Sequence, residues 1–197
     1  MRRCWTLLPH GDMKAILSIF LAASLLLAAD DGQTLKTTDG EVYTNATITE
    51  LRPNGAVVNS DTGIVTVAYA KLPKELQTRY GYDVDELGKY FKQGVDGDYT
   101  YGEGVIAFAG ATLKLEKGQF THSTFNDVPS ANRPPLHGRF TIVGNWLVFH
   151  HPELARSSRV FAVINGRLAL LSAYDFKQWK ESGKLGRGDI LYQQKLK

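Results

Sequence analysis

Cysteine is nearly absent from this chain, and its absence excludes several classes of site. Cys4 is the single cysteine among the 197 residues, and it lies in an N-terminal stretch that we expect to be removed. The remaining chain then has no thiol nucleophile, no cysteine ligand for zinc and no disulfide. We therefore expect the fold to be stabilised by its hydrophobic cores alone.

The chain also lacks a strong excess of either charge. Its 23 basic and 20 acidic side chains give a net charge of +3, and beyond residue 29 the counts are 20 and 19. This balance provides no long-range field that would attract nucleic acid. Neither Gly102-Glu103-Gly104 nor Gly186-Arg187-Gly188 joins a strand to a helix N-terminus, as a phosphate-binding loop does. We predict no nucleic-acid partner and no cofactor.

Only one long hydrophobic run is present. Residues 15–29 are apolar or small, follow Lys14 and precede Asp30-Asp31. This pattern is typical of a secretory signal peptide, and we predict a leader over residues 1–29 with cleavage after Ala29. A retained membrane anchor is the alternative, although 15 residues are short against the roughly 20 that span a bilayer. We expect a periplasmic or secreted protein without a stable membrane span once the leader is removed.

The rest of the chain shows the pattern of an all-β protein with short helices. Short runs of alternating apolar and polar residues end at Gly, Asn-Gly or Asp-Gly, as in antiparallel strands with one buried face. Helices are predicted at residues 83–93 and 174–182. We predict a small antiparallel barrel with a C-terminal helix over residues 30–93. An antiparallel meander barrel or half-barrel then follows over residues 94–197.

The first module resembles a known class of small barrel. Its matching residues are Leu-Lys-Thr-Thr-Asp-Gly at 35–40, Tyr43, Gly63, Leu-Pro-Lys-Glu-Leu at 72–76 and Tyr-Gly-Tyr-Asp at 80–83. These look like Src-homology-3-like modules of exported bacterial proteins, including the Sla1 homology domain 1. The resemblance implies a binding or packing module without catalytic residues, and it identifies no partner.

The second module resembles the lipocalin-like and META-like β-meanders of bacterial envelope proteins. The matching residues are Gly-Asp-Tyr at 97–99, Leu-Lys-Leu at 113–115 before Gly-Gln-Phe, and Gly-Arg-Phe at 138–140 before Trp-Leu-Val at 146–148. Barrels of this kind are either filled by side chains or hold one ligand. The resemblance therefore implies a binding function, and it leaves undecided whether the interior is filled by side chains or holds a ligand.

Histidines are the only candidate metal ligands and bases of note. A zinc site needs three or four converging donors, and His122, His137 and His150 are the set to examine. Because neighbours on a strand point to opposite faces, His150 and His151 cannot both bind one ion from a regular strand. No Gly-x-Ser-x-Gly nucleophile motif is present. We predict no metal and assign no catalytic residue, and the question of an enzyme stays open.

Aromatic and arginine side chains in the second module are the candidate ligand-binding residues. We select Tyr99, Tyr101, Trp146, Arg133 and Arg139. The aromatics would line a cavity or fill the barrel core, whereas the arginines would form a basic rim. Residues 126–137, with Arg133 beside Pro134 and Pro135, are predicted to be a long loop suited to partner binding.

Three functions are compatible with these observations. The first is a non-catalytic envelope protein that binds a protein, a peptide or the cell wall. The second is a carrier or sensor of a small apolar ligand in the C-terminal barrel. The third is a hydrolase whose site the sequence does not reveal. We expect the first, with an interaction surface as the functional part of the molecule.

Overall fold

The computed structural model describes residues 33–81, 84–101, 109–129, 132–154, 157–185 and 190–194. The predicted leader, Asp83 as a helix cap, and the strand expected at residues 105–108 lie outside these residues. In the described part the chain is mostly β, with three short α-helices, and the predicted fold class is confirmed. No helix in the described part is both long and apolar enough to cross a bilayer.

The first four strands form one antiparallel sheet in the order β1-β2-β3-β4. They are β1 (Gln33–Lys36), β2 (Val42–Arg52), β3 (Gly55–Ser60) and β4 (Gly63–Val67). A 3-10 helix (Tyr69–Lys71) follows, and the Thr38 N–H donates to the Lys71 carbonyl over 2.8 Å. This bond returns the chain to the end of β1. The small barrel predicted here is thus a four-stranded sheet, with β1 and β4 at its edges.

Two helices link this sheet to the second module. They are α1 (Lys74–Tyr80) and α2 (Val84–Gln93). Pro73 immediately precedes α1, a position where its missing N–H costs nothing. The side chains of Leu87, Tyr90 and Phe91 contact the core of the second module. The sequence pattern predicts α2 as the end of the first module, whereas its described side chains contact the core of the second.

The next eight strands close into an antiparallel barrel, as the meander-barrel prediction expected. They are β5 (Gly97–Tyr101), β6 (Ala109–Glu116), β7 (Gln119–Asn126), β8 (Leu136–Val143), β9 (Trp146–His150), β10 (Arg159–Ile164), β11 (Arg167–Ser172) and β12 (Leu191–Gln193). The barrel closes through two pairings, β9 with β10 and β12 with β5. Helix α3 (Ala173–Ser182) lies between β11 and β12 in the chain.

The two ends of the barrel differ. Tight turns at residues 117–118, 144–145 and 165–166 lie at one end, which we call the helix end because α2 covers it. There the Phe91 ring packs edge-on against Phe161, with centroids 5.2 Å apart, and the Tyr90 hydroxyl donates to the Gly166 carbonyl. The longer connections after β5, β7, β9 and β11 leave from the opposite end, the loop end.

The inner face of the barrel is filled by its own side chains at the helix end. Tyr99 is fully buried, its hydroxyl donates to the Val95 carbonyl over 2.7 Å, and its ring lies edge-on to Phe161. Other buried members of this cluster are Leu113, Leu115, Phe120, Phe140, Leu147, Phe149, Leu168, Leu170 and Leu191. This part of the interior is a packed core.

The outer face of β9, β10 and β11 is also buried, because the N-terminal sheet and α3 cover it. Trp146, Val160 and Leu171 belong to the same hydrophobic cluster as Ile48 and Val58 of the N-terminal sheet. The period-two pattern predicts one buried face per strand, whereas four of the six residues in each of β10 and β11 are buried, on both faces. The two modules therefore share one core.

Buried tyrosines should make the fold sensitive to alkali. Burial raises the pKa of Tyr99, and burial together with the Glu181 carboxylate raises that of Tyr80, whose hydroxyl donates to Glu181 over 2.6 Å. In the unfolded chain both ionise near their ordinary pKa of about 10. The native state is then the more protonated one, so stability present below about pH 10 is lost as pH rises further towards the folded pKa values.

We expect the free energy of unfolding to fall by about 1.4 kcal/mol for each of these two tyrosines between pH 8 and pH 11. Chemical denaturation at a series of pH values measures this change. Tyr99→Phe and Tyr80→Phe should each make the pH dependence shallower by about that amount. Unchanged slopes in both variants would mean that these phenols ionise as readily in the folded chain as in the unfolded one.

Candidate functional site

The most distinctive concave site is a cleft between the two modules, of about 600 Å³. Three segments line it: residues 49–51 of β2, residues 157–159 at the start of β10, and the junction of β11 with α3 at residues 172–177. A volume of roughly 300–1,000 Å³ at a boundary between modules is usual for a ligand site. The shared core holds these three segments together, so the cleft exists only when both modules are folded.

A β-bulge shapes the wall that β2 contributes. Ile48 pairs with Val58 and Glu50 with Val57, so Thr49 has no partner of its own on β3. Its hydroxyl instead donates to the Val57 carbonyl. Such an extra residue bends a strand and redirects the side chains beside it, which is why bulges are frequent next to binding sites.

The opposite wall is the first turn of α3. Ser172 caps this helix, since its Oγ accepts from the Asp175 N–H and donates to the Asp175 carboxylate over 2.6 Å. Asp175 is thereby held buried at the floor. Tyr174, the next residue round the helix, is 68% exposed and stands beside the cleft. The capping bonds hold the first turn of α3, and with it the backbone that carries this aromatic ring.

Charges of both signs surround the cleft. Lys177, which forms an ion pair with Glu181 at 2.8 Å, contributes positive charge, and Glu50 contributes negative charge together with Asp175. Arg159 borders the cleft, but its pairing with Leu147 places its side chain on the inner face of the barrel. The hydrogen bond from Arg52 lowers the pKa of Glu50, which therefore remains ionised at neutral pH. With Ser157, Ser158 and Ser172, these groups suit a polar ligand without a large net charge. Tyr174 adds a surface on which a ring or an apolar side chain can stack.

The residues selected from the sequence do not converge on this cleft. Tyr99 is enclosed in the filled interior, and Tyr101 lies half-buried on the inner face where β5 ends. Trp146 lies on the other side of the barrel wall, in the shared core. The aromatic residues selected as one ligand site are thus divided between two cores.

The two selected arginines are exposed at separate places. Arg139 lies on the outer face of β8 and lines a groove of its own, and Arg133 lies in the connection between β7 and β8. That connection is residues 127–135, shorter than predicted, because His137 pairs with Thr121 and so extends β8. Within it the Asn132 side chain accepts from the Asn126 N–H over 2.6 Å.

The three histidines proposed for examination do not form one site. His122 pairs with Leu136 and faces inward, whereas His137 and His150 face outward and contact the hydroxyls of Thr121 and Thr141. No group of three or more His, Cys, Asp or Glu residues in the described ranges is arranged to hold a metal ion.

Sequence reasoning missed Tyr174 and the serine pair at 157–158. One signal for Tyr174 was present, because Phe176 and Trp179 define the inward face of α3 and a residue two positions before Phe176 must project away from it. The serines carry no comparable signal, since their role depends on β2, which is more than 100 residues away in the chain.

Comparison with known proteins identifies no relative. No family model, curated protein or solved structure matches this chain. The class of the molecule is therefore defined by its own architecture, an eight-stranded antiparallel barrel joined through a shared core to a four-stranded sheet.

Proposed function

We propose that this is an exported, non-catalytic binding protein of the cell envelope, and that its ligand binds in the cleft between the two modules. Export is inferred from the apolar run at residues 15–29 that follows Lys14. The ligand we favour is a polar, extended chain, such as a peptide or a glycan strand of the wall.

The observation that carries this proposal is the composition of the cleft. It combines an exposed aromatic ring, Tyr174, with charges of both signs and several serine hydroxyls. Hydrogen-bonding groups of both kinds, with one stacking surface, recognise peptides and sugars better than they recognise hydrocarbon. Because the helix end of the barrel is filled by Tyr99, Phe161 and their neighbours, the interior there offers no room to an apolar ligand.

Tyr174→Ala is expected to weaken ligand binding at least tenfold, because aromatic anchors at the centre of a site contribute most of its affinity. Stability should change by no more than about 0.5 kcal/mol, since the ring is exposed. Co-sedimentation with purified wall material, and pull-down from envelope extract followed by native mass spectrometry, measure binding to glycan and to peptide or protein respectively.

Ile64→Ala is the matched control. Ile64 is 74% exposed on β4 and does not line the cleft, so this variant should bind like the wild type. Equal loss of binding in both variants would show that the cleft is not the recognition site. Turnover of an ester, peptide or glycan substrate, lost in His122→Ala, would contradict the non-catalytic assignment.

A further inference from the structure

A second concave surface lies on the outside of the barrel, and it shares no residue with the cleft. This outer groove has a volume of about 640 Å³ and is lined by Lys117, Gly118, Gln119, Arg139, Phe140, Thr141 and His150. Gln119 pairs with Arg139, and Arg139 pairs with His150, so these three side chains form one row across β7, β8 and β9. Neighbours in such a row are about 5 Å apart.

The charged residues that line the outer groove are of one sign, and the Asp96 carboxylate beside it already accepts from the Lys117 N–H over 2.9 Å. Lys117 and Arg139 are both exposed, and none of the seven lining residues is acidic. Arg139 makes no hydrogen bond or ion pair with any residue that the structure describes, since its strand neighbours are Gln119 and His150. An arginine in a concave site without a carboxylate presents its fork of N–H donors to solvent, and an incoming ligand can use it.

The nearest acidic residue in sequence is already engaged. Glu116 precedes Lys117 and forms an ion pair with Lys114 at 2.9 Å. The pKa of Glu116 is lowered chiefly by Lys114, with a smaller contribution from Lys117. Glu116 pairs with Gln119 and so extends the row to β6, but it does not line the groove, and its carboxylate contacts Lys114 and not Arg139.

The remaining lining groups can complete an anion site. The Phe140 ring is buried in the barrel interior, so its backbone lines the floor of the groove. Its N–H donates to the Gly118 carbonyl over 2.9 Å, which holds the turn at residues 117–118 against β8. The Thr141 hydroxyl lies 3.0 Å from His150 Nε2. A rigid floor bordered by a guanidinium, an ammonium, an amide and a hydroxyl matches the chemistry of carboxylate and phosphate groups.

We infer that the outer groove binds the carboxylate or phosphate group of a ligand, with Arg139 as the bidentate donor and Lys117 as the second charge. The chemistry of the group is common to small anions and to anionic polymers of an envelope. The experiment therefore includes probes of both kinds, small anions and an anionic polymer.

The experiment titrates the protein with inorganic phosphate, with succinate and with polyphosphate, and follows backbone amide shifts in NMR spectra. Gly118 and Thr141 should show the largest changes, and Arg139→Gln should weaken binding roughly tenfold. Lys114→Gln is the matched control, because it removes the same charge from the same side of the barrel outside the groove. It should retain nearly wild-type affinity, and the amide spectra of both variants verify folding.

Binding of phosphate or succinate that depends on Arg139 would support a small anionic ligand. Binding of polyphosphate alone, with the same dependence, would support an anionic polymer. The inference is overturned if Lys114→Gln weakens binding as much as Arg139→Gln, since net charge alone would then explain it. It is also overturned if none of the three probes shifts the amides of Gly118 and Thr141.

Discussion

Trp146→Ala is expected to destabilise the whole chain by about 3–5 kcal/mol, the usual cost of removing a large aromatic side chain from a core. Trp146 is 2% exposed and lies where the outer face of β9 meets the N-terminal sheet and α3. Because both modules contribute to that cluster, amide exchange should accelerate in β2 and β3 as well as in β9 and β10. Chemical denaturation and hydrogen exchange measure the two effects.

Trp146→Phe separates the packing of the ring from its polar atom. Among the described residues, the Trp146 indole N–H has no hydrogen-bond partner of ordinary geometry. Burial raises the pKa of Tyr69, and the nearby Trp146 indole offsets part of this increase. We expect Trp146→Phe to cost less than about 1.5 kcal/mol, because most of the apolar contact remains. For Trp146→Ala, faster amide hydrogen exchange confined to the barrel strands would contradict a core shared by the two modules.

Gly138→Ala is expected to cost about 1–3 kcal/mol, because the added carbon would be placed against a ring that cannot move. A β-carbon at residue 138 would lie 2.7 Å from Cε1 of Phe120. Phe120 is 2% exposed and is held edge-on against Phe149, with centroids 4.9 Å apart. Thermal or chemical denaturation of the variant measures the loss.

Gly110→Ala is the informative comparison. A β-carbon there would overlap the Phe125 ring even more closely, but that ring is 48% exposed and can swing into solvent. We therefore expect a smaller cost, below about 1 kcal/mol. In α2, a β-carbon at residue 88 would have no neighbouring atom within 4 Å. Gly88→Ala should therefore stabilise the protein by about 0.5–1 kcal/mol, because alanine has the higher helix propensity. If Gly110→Ala proved the more damaging variant, burial of the opposing ring would not be what decides the cost.

Strand positions were predicted well because the relevant signals are local. The hairpin over β10 and β11 has its turn at Asn165-Gly166, where both residues adopt positive φ, and an Asn-Gly pair accommodates this conformation at low cost. Helix α3 likewise ends at Gly183 with a left-handed backbone, as its sequence indicated. Such turn and cap residues determine structure within a few positions of themselves.

The location of Trp146 shows where that reasoning reaches its limit. A period of two separates the faces of a strand but does not say which face lies inside a barrel, nor whether the other is covered. The apolar runs at residues 160–164 and 168–171 did carry a signal, because continuous hydrophobic strands are typical of burial on both faces. They indicate that another element covers this wall, but not that it is the N-terminal sheet.

The cleft could not be predicted for a different reason. Its three walls come from β2, from the start of β10 and from the first turn of α3, and each segment by itself resembles ordinary surface. Their proximity results from packing across the shared core, which is a long-range property of the whole chain. Arg139 was found from the sequence, but the lack of a partner for it among the described residues depends on its neighbours across two other strands.

The most direct test of the central claim asks whether ligand covers the cleft. In the chain that begins at Asp30, which lacks Cys4, Ser157→Cys places a single thiol at the exposed edge of the cleft, and Thr66→Cys places one on β4. With envelope extract or wall material bound, maleimide labelling of Ser157→Cys should slow at least tenfold while labelling of Thr66→Cys is unchanged. Equal labelling rates at residue 157 with and without bound material would contradict recognition in the cleft.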